Sequence, residues 1–217
     1  MKKLILISII LIVGCAPITF SNLQSAKMTR KGKFEFTPSF STSINTNSFG
    51  LQTSYGLNNK YNFRLRLERI MIDFDEFESD SSNFIDMSIF NFKANITHLS
   101  FGIKYQLLKN KSAIYIPISF TKIDNDSEII KQIEPTYIHT FSFKYLEINP
   151  SIKALIPLDS NTKDYLLAYN LGFGISSNLS KWVIRPELSF LGGGVGEKLA
   201  FFPLLSIGLS IYPKLAD

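Results

Sequence analysis

The chain has 217 residues, of which 45% are hydrophobic, 13% aromatic and only 19% charged, with a formal net charge of +5. That length suits one β domain, and high hydrophobicity with little charge excludes a disordered chain. Lys and Arg are scattered rather than gathered on one element, which argues against a nucleic-acid surface.

In chain order, Met1-Lys2-Lys3 is a short positive region, and Leu4 to Val13 is apolar except for Ser8. Ten helical residues rise about 15 Å, half of a hydrocarbon core, so this is a signal peptide's apolar region and not a span. Ile12-Val13-Gly14-Cys15 then resembles the lipobox of bacterial lipoproteins. The resemblance implies removal of residues 1–14, diacylglycerol (palmitate-type) attachment to the Cys15 thiol, and acylation of the new amino terminus. Cys15 is the only cysteine, so no internal disulfide exists. Ala16 in place of an aspartate implies export to the bacterial outer membrane rather than retention at the inner one. Residues 15–31, with Pro17, Asn22, Gln24, Ser25, Lys27, Arg30 and Lys31, read as a lipidated tether.

From residue 32 to 217 the chain reads as one barrel domain. The clearest stretch is Phe49 to Glu68. Phe49, Leu51, Thr53, Tyr55 and Leu57 alternate with Gly50, Gln52, Ser54 and Gly56; after Asn58-Asn59-Lys60, Tyr61, Phe63, Leu65 and Leu67 alternate with Asn62, Arg64, Arg66 and Glu68. Period two means strands with one greasy face and one polar face. The Asn-Asn link supplies residues that tolerate left-handed backbone, as a tight hairpin needs.

The same alternation recurs before and after this hairpin. It covers Gly32 to Ser43, Ile96 to Leu107, Ala113 to Thr121, Thr136 to Tyr145, Glu147 to Leu158, Tyr165 to Ser176, Trp182 to Phe190 and Leu199 to Tyr212. That makes ten strands. Tight turns at 58–60, 109–111, near Leu146 and at 178–180 alternate with longer polar breaks at 73–93, 122–134 and 159–164 and the glycine run from Gly192. The expected fold is all-β: a single antiparallel up-and-down transmembrane β-barrel of about ten strands. An even strand number with short and long connections on opposite sides, the short return Ile44 to Asn47 on the long-loop side excepted, places both termini in the periplasm. There a lipid on Cys15 can enter the inner leaflet.

Alternation alone also fits a lipid-tethered soluble, lipocalin-like barrel with an apolar ligand inside. Aromatics near strand ends on the greasy parity (Phe49, Tyr55, Tyr61, Tyr105, Tyr165, Trp182, Phe190) favour the inside-out arrangement, in the manner of interfacial girdles. The other parity carries Glu35, Arg64, Arg66, Glu68, Lys104, Lys144, Lys153, Arg185 and Glu187, which are costly in hydrocarbon but can pair in a wet lumen. Gln24-Ser25-Ala26-Lys27, Lys31 to Glu35, Tyr55-Gly56-Leu57 and Phe101 to Leu107 are similar to small bacterial outer-membrane β-barrel lipoproteins, a family from which no catalytic residues carry over. The ending Tyr212 to Asp217 departs from it in lacking a terminal aromatic.

Glu35, Arg64, Arg66, Glu68, Lys104, Arg185 and Glu187 are the candidate lumen constriction, either a charged filter for small solutes or an ionic plug. His98 reads as a lumen polar residue. His139 reads as interfacial, with a rim enzyme (protease or lipid-A hydrolase) using it beside Asp124 or Asp126 as the minor reading. The two histidines share no metal-ligand spacing, the acidic stretch 124–128 lacks the glycine and distal glutamate of a calcium loop, and the glycine run lacks a phosphate loop's ending. The expectation is a non-enzyme without cofactor. Its expected partners are outer-membrane lipid, lipopolysaccharide, and the barrel-assembly and lipoprotein-sorting machineries, with no nucleic acid.

Overall fold

The computed structural model describes residues 21–43, 46–74, 92–124, 128–158, 165–192 and 202–213. In it, ten antiparallel strands close into a barrel. They are β1 (Phe34–Ser43), β2 (Thr46–Gly56), β3 (Tyr61–Phe74), β4 (Phe92–Leu108), β5 (Ser112–Ile123), β6 in three pieces (Ile129–Ile133, Thr136–His139 and Phe141–Ser142), β7 (Leu146–Pro157), β8 (Leu166–Ile175), β9 (Trp182–Gly192) and β10 (Phe202–Ile211). Each pairs with its sequence neighbour, and β10 returns to β1 through a ladder from Phe36↔Ile211 to Thr42↔Leu205. Closure leaves no sheet edge and satisfies the backbone internally, the condition for β structure in lipid.

The sixth strand departs from the sequence expectation. The polar break was expected to run to Glu134, with a strand beginning at Thr136. Instead pairing begins at Ile129, against Lys122. One register runs through all three pieces, since Ile133↔Ile156, Thr136↔Lys153 and Phe141↔Ile148 follow on along β7. Pro117 and Pro135 explain the interruption: neither has an N–H to give to the ladder. The Glu134 amide still donates to the Pro117 carbonyl at 3.0 Å, and the Ala154 amide to the Pro135 carbonyl at 3.0 Å.

The tight turns also work differently from the expectation at one point. Asn110 has the left-handed backbone, with φ 58°. Asn58 acts through its side chain: Oδ1 accepts the Lys60 and Tyr61 amides at 2.7 and 2.9 Å. Asn178 likewise accepts the Ser180 amide at 3.1 Å. These are Asx turns, which close the backbone without positive φ.

The phase of the alternation decides the architecture. Leu65, Phe101 and Leu171 face outward at 38%, 37% and 40% exposure, whereas Arg64 and Glu187 are buried at 4% and 1%. Facing water, the outer wall of Phe, Leu and Ile would form an apolar patch far beyond the few hundred Å² that soluble proteins expose. The barrel is therefore a transmembrane one, greasy outside and polar within. A soluble lipocalin-like arrangement, with the greasy face inward, is overturned by this phase.

Outward aromatics pair across strands near the tight-turn end: Tyr61 with Tyr105 at 5.0 Å and Phe34 with Tyr55 at 4.8 Å between centroids. Such pairs are worth about 0.2–1 kcal/mol each. Lys144, expected on the polar parity, instead lies exposed in the turn before β7, over the Tyr145 ring. Inside, polar side chains fill most of the middle of the barrel and the tight-turn end, where Ala26, Ala113, Tyr115 and Ile138 form one apolar cluster. Towards the long-loop end the inward positions turn apolar, with Ile70, Ile72 and Ile96 clustered beside Ile123, and Leu155, Ala168, Leu191 and Leu204 clustered beside Leu166.

Candidate functional site: a lumen threaded by the N-terminal segment

Residues 21–31, expected as part of a tether outside the barrel, run through its interior. Ser21, Asn22, Leu23, Gln24, Ser25, Ala26 and Thr29 are all buried. The segment leaves β1 at the tight-turn end, where the Gly32 amide donates to the Gly56 carbonyl at 2.8 Å and Lys31 bridges Gly56. A methyl group on Gly56 would lie 2.1 Å from the Arg30 carbonyl oxygen, so only glycine lets the segment turn inward here. Thr29 then meets Ser54 at 3.0 Å, Lys27 meets Glu147 at 2.7 Å, and the Ala26 amide donates to the Thr140 hydroxyl at 2.6 Å.

Further in, Gln24 accepts from Arg64, and the Leu23 amide donates to Glu187 Oε2 at 2.7 Å. The Asn22 amide donates to the other oxygen of the same carboxylate. At mid-height Arg66 Nη1 and Lys153 Nζ both donate to the Ser21 carbonyl, at 2.6 and 3.2 Å. Leu23 has φ 46° and lays its side chain over Gly208, where there is no Cβ to meet it.

The segment is irregular, so its amides and carbonyls need partners other than a ladder. The charged wall supplies them. Lys104 Nζ, for example, donates to the Lys27 carbonyl at 2.7 Å and to the Ser25 carbonyl.

Every candidate constriction residue faces the lumen, but the pairings differ from the sequence reading. Arg66 pairs with its strand neighbour Glu68 rather than with Glu35 or Glu187. Arg64 meets Gln24 and Gln52, with its guanidinium 5.5 Å from the Tyr115 ring centroid. Arg185 donates to Glu147 at 3.3 Å and to the Tyr212 hydroxyl at 3.1 Å, and that hydroxyl donates to Glu35 at 3.2 Å. Glu187 holds the two plug amides and accepts from Ser189 at 3.1 Å.

Two buried carboxylates are additions. Glu134 faces Lys153 and His98 Nε2 at 3.4 Å each, and Glu147 faces Lys27 and Arg185. Glu134 lies beside a proline break, outside the expected strands, whereas Glu147 opens its strand on the same polar parity as Lys153. The wall then carries Arg64, Arg66, Lys104, Lys153 and Arg185 against Glu35, Glu68, Glu134, Glu147 and Glu187, charges in balance.

His98 is buried with Nδ1 2.9 Å from the Thr121 hydroxyl, a lumen residue. His139 pairs with Ser112 at the tight-turn end and meets the Phe141 ring at a tilt, with centroids 4.7 Å apart. Asp124 follows the opposite end of β5, where Arg69 forks onto it with Nη1 2.9 Å from Oδ1. That hydrogen bond holds the Asp124 carboxyl below its usual range. A His139–Asp124 pair is thus not assembled, and Asp126 lies outside the described residues. Among the described residues no group of three or more His, Cys, Asp or Glu is placed to hold a metal ion.

Glu187→Ala is expected to leave the Asn22 and Leu23 amides without an acceptor and to cost about 2–4 kcal/mol. The unfolding midpoint in urea, read in lipid vesicles, measures that loss; Leu188→Ala on the outer face is the control.

No protein family matches the chain, and no curated protein matches it by sequence. Solved structures are similar in shape. The outer membrane protein Ail of Yersinia pestis, determined in a phospholipid bilayer nanodisc, is 12% identical, with a TM-score of 0.42 over 84% of this chain and 100% of that one. A structure from the de novo design of transmembrane β-barrels is 8% identical, with a TM-score of 0.38 over 86% and 100%. The N-terminal β-barrel domain of Pseudomonas aeruginosa OprF is 10% identical, with a TM-score of 0.34 over 85% and 100%.

Proposed function

We propose that the protein is an outer-membrane β-barrel lipoprotein, anchored through Cys15 after removal of residues 1–14, and that in its resting form it is a structural, self-plugged barrel and not an open pore. The observation that carries this reading is the seating of residues 21–29 in the lumen, held from opposite walls by Arg66, Lys104, Lys153 and Glu187. A segment fixed by so many charge-assisted bonds occupies the space that a solute would need. The long-loop end faces the cell exterior and lipopolysaccharide, following the usual loop asymmetry of such barrels. Barrel-assembly and lipoprotein-sorting machineries are the partners this biogenesis requires.

Passage of small solutes past the same charged wall is the second reading. It is favoured by the ring of balanced charges that the segment covers, and it requires the segment to leave. We assign no enzymatic role.

The lipoprotein assignment is tested by mass analysis of the N-terminal peptide, which should begin at Cys15 and carry acyl chains. An unmodified peptide would refute the anchor. A Cys15→Ala variant should still resist carbonate washing of membranes, because the barrel itself spans.

A further inference from the structure

The two rims of the barrel carry charge differently. At the long-loop end cation and carboxylate alternate: Arg69 forks onto Asp124, and Lys93 meets Asp73 at 2.9 Å. At the tight-turn end they do not. Lys60 sits in the first turn, Lys109 and Lys111 in the second, Lys144 in the third and Lys181 in the fourth, all exposed. Arg30 and Lys31 stand exposed beside them, where the plug enters. Among the described residues the only carboxylates at this end are Glu35 and Glu147. Both turn inward, Glu35 to the Tyr212 hydroxyl and Glu147 to Lys27 and Arg185. The chain reversals do not need these cations, since Asn58 and Asn178 close their turns through side chains and Asn110 through its left-handed backbone. Like charges crowded on one narrow rim repel one another, so an anionic partner is the complement this rim fits.

The cations also have apolar company. Phe143 and Tyr145 flank Lys144 at 58% and 53% exposure, and Lys144 Nζ lies 4.9 Å from the Tyr145 ring centroid. Tyr61 follows Lys60, Trp182 follows Lys181, and exposed Leu108 precedes Lys109. Amphipathic rings at the foot of a lipid-facing wall sit at the headgroup level, and lysines beside them reach out to the phosphates. The turns at 109–111 and 143–145 stand side by side. The Thr140 amide donates to the Lys111 carbonyl at 2.7 Å, and the Phe143 amide donates to the Leu146 carbonyl at 2.7 Å. Neighbouring hairpins are two strands, about 10 Å, apart, close enough for Lys109, Lys111 and Lys144 to share one headgroup.

We infer that the tight-turn rim is a binding ring for anionic phospholipid of the inner leaflet, with its strongest seat between the turns at 109–111 and 143–145. The ligand is a phosphodiester headgroup with net negative charge. The lysines hold its phosphate oxygens, and Phe143 and Tyr145 lie against the glycerol and the first acyl carbons. This inference rests on the reading of the chain as an outer-membrane barrel with its tight turns in the periplasm. That orientation makes the source a phospholipid and not lipopolysaccharide.

The test folds the full chain into phosphatidylcholine vesicles doped with spin-labelled phosphatidylglycerol or spin-labelled phosphatidylcholine, with folding checked by heat-dependent gel mobility. Phosphatidylglycerol is expected to be enriched about fivefold in the motionally restricted lipid at the barrel surface, the factor that one basic residue near an anionic headgroup supplies. The enrichment should fall as salt is raised. Lys109→Gln with Lys111→Gln and Lys144→Gln should remove most of it. Lys122→Gln with Lys131→Gln, exposed towards the long-loop end, should leave it unchanged. No enrichment in the unaltered protein overturns the inference, and so does an equal loss in both variants or a loss in neither. If the triple change blocks folding, Lys144→Gln alone decides: a partial loss supports the seat, and full retention refutes it. Purified lipopolysaccharide that displaces the labelled phosphatidylglycerol better than unlabelled phosphatidylglycerol does would overturn the assignment to phospholipid. Failure of the unaltered chain to insert into any of these vesicles would overturn the barrel reading and the inference with it. Insertion without a lipid preference removes the inference alone.

Discussion

Deleting residues 21–30 is expected to turn a silent barrel into a conducting one. The segment contributes Leu23, Gln24 and Ala26 to the barrel's interior, donates two backbone amides to Glu187 and pairs Lys27 with Glu147. Its removal also strips the carbonyl acceptors from Lys104, Lys153 and Arg66. The wall left behind sets five cations against five carboxylates, with Arg66 still on Glu68 and Lys153 still facing Glu134, so the opened lumen should show little preference between anions and cations. In planar bilayers the intact protein should give no stepwise current at moderate voltage, and the deletion variant should give discrete steps. Steps of equal size in both would show that the segment does not fill the lumen. Loss of the plug also removes buried hydrogen bonds, so the variant should unfold at lower urea than the intact barrel.

The second large effect concerns the outer face. Leu67→Arg should cost about 2–4 kcal/mol, the penalty of a cation near the bilayer midplane. Leu67 is half exposed and lies midway along β3, opposite Leu51 and Leu99 on the neighbouring strands. Its neighbour Arg66 shows the converse. One residue away on the same strand, a guanidinium is accommodated because it faces Glu68 and the Ser21 carbonyl. Folding into vesicles at a series of urea concentrations measures both sites. A Leu67→Arg variant as stable as the parent would place that residue in water.

Much of this architecture was legible in the sequence because a membrane barrel repeats one rule. Period two, carried by residues such as Phe63, Leu65 and Leu67 against Asn62, Arg64 and Arg66, placed nine of the strands to within a few residues and set the constriction candidates on the inward face, while Lys144 fell in a turn. The rule failed where another constraint competed with it. Pro117 and Pro135 interrupt β6, so its first piece, Ile129–Ile133, read as loop, and Glu134 beside it was not recognised as a lumen residue.

The plug was illegible for a different reason. Residues 21–31 have no periodicity, and Asn, Gln, Ser and Lys suit a solvated tether as well as a polar lumen. Their destination is set by complementarity with Arg66, Lys104, Lys153 and Glu187, residues far away in sequence. The nearest sequence signal was the presence of so many inward charges on a barrel too narrow to hydrate them all. Gly56 and Gly208, which let the segment approach the wall, gave a second hint that reads clearly only with the structure in hand.

The claim on which all of this depends is the phase of the strands, and spin-label accessibility along β3 tests it most directly. Single nitroxides placed at positions 62 through 69 in bilayers should alternate. Collision with oxygen dissolved in lipid should be high at 63, 65 and 67 and low at 62, 64, 66 and 68. The opposite alternation, or equal contact with a water-soluble relaxer at 63, 65 and 67, would contradict the inside-out barrel.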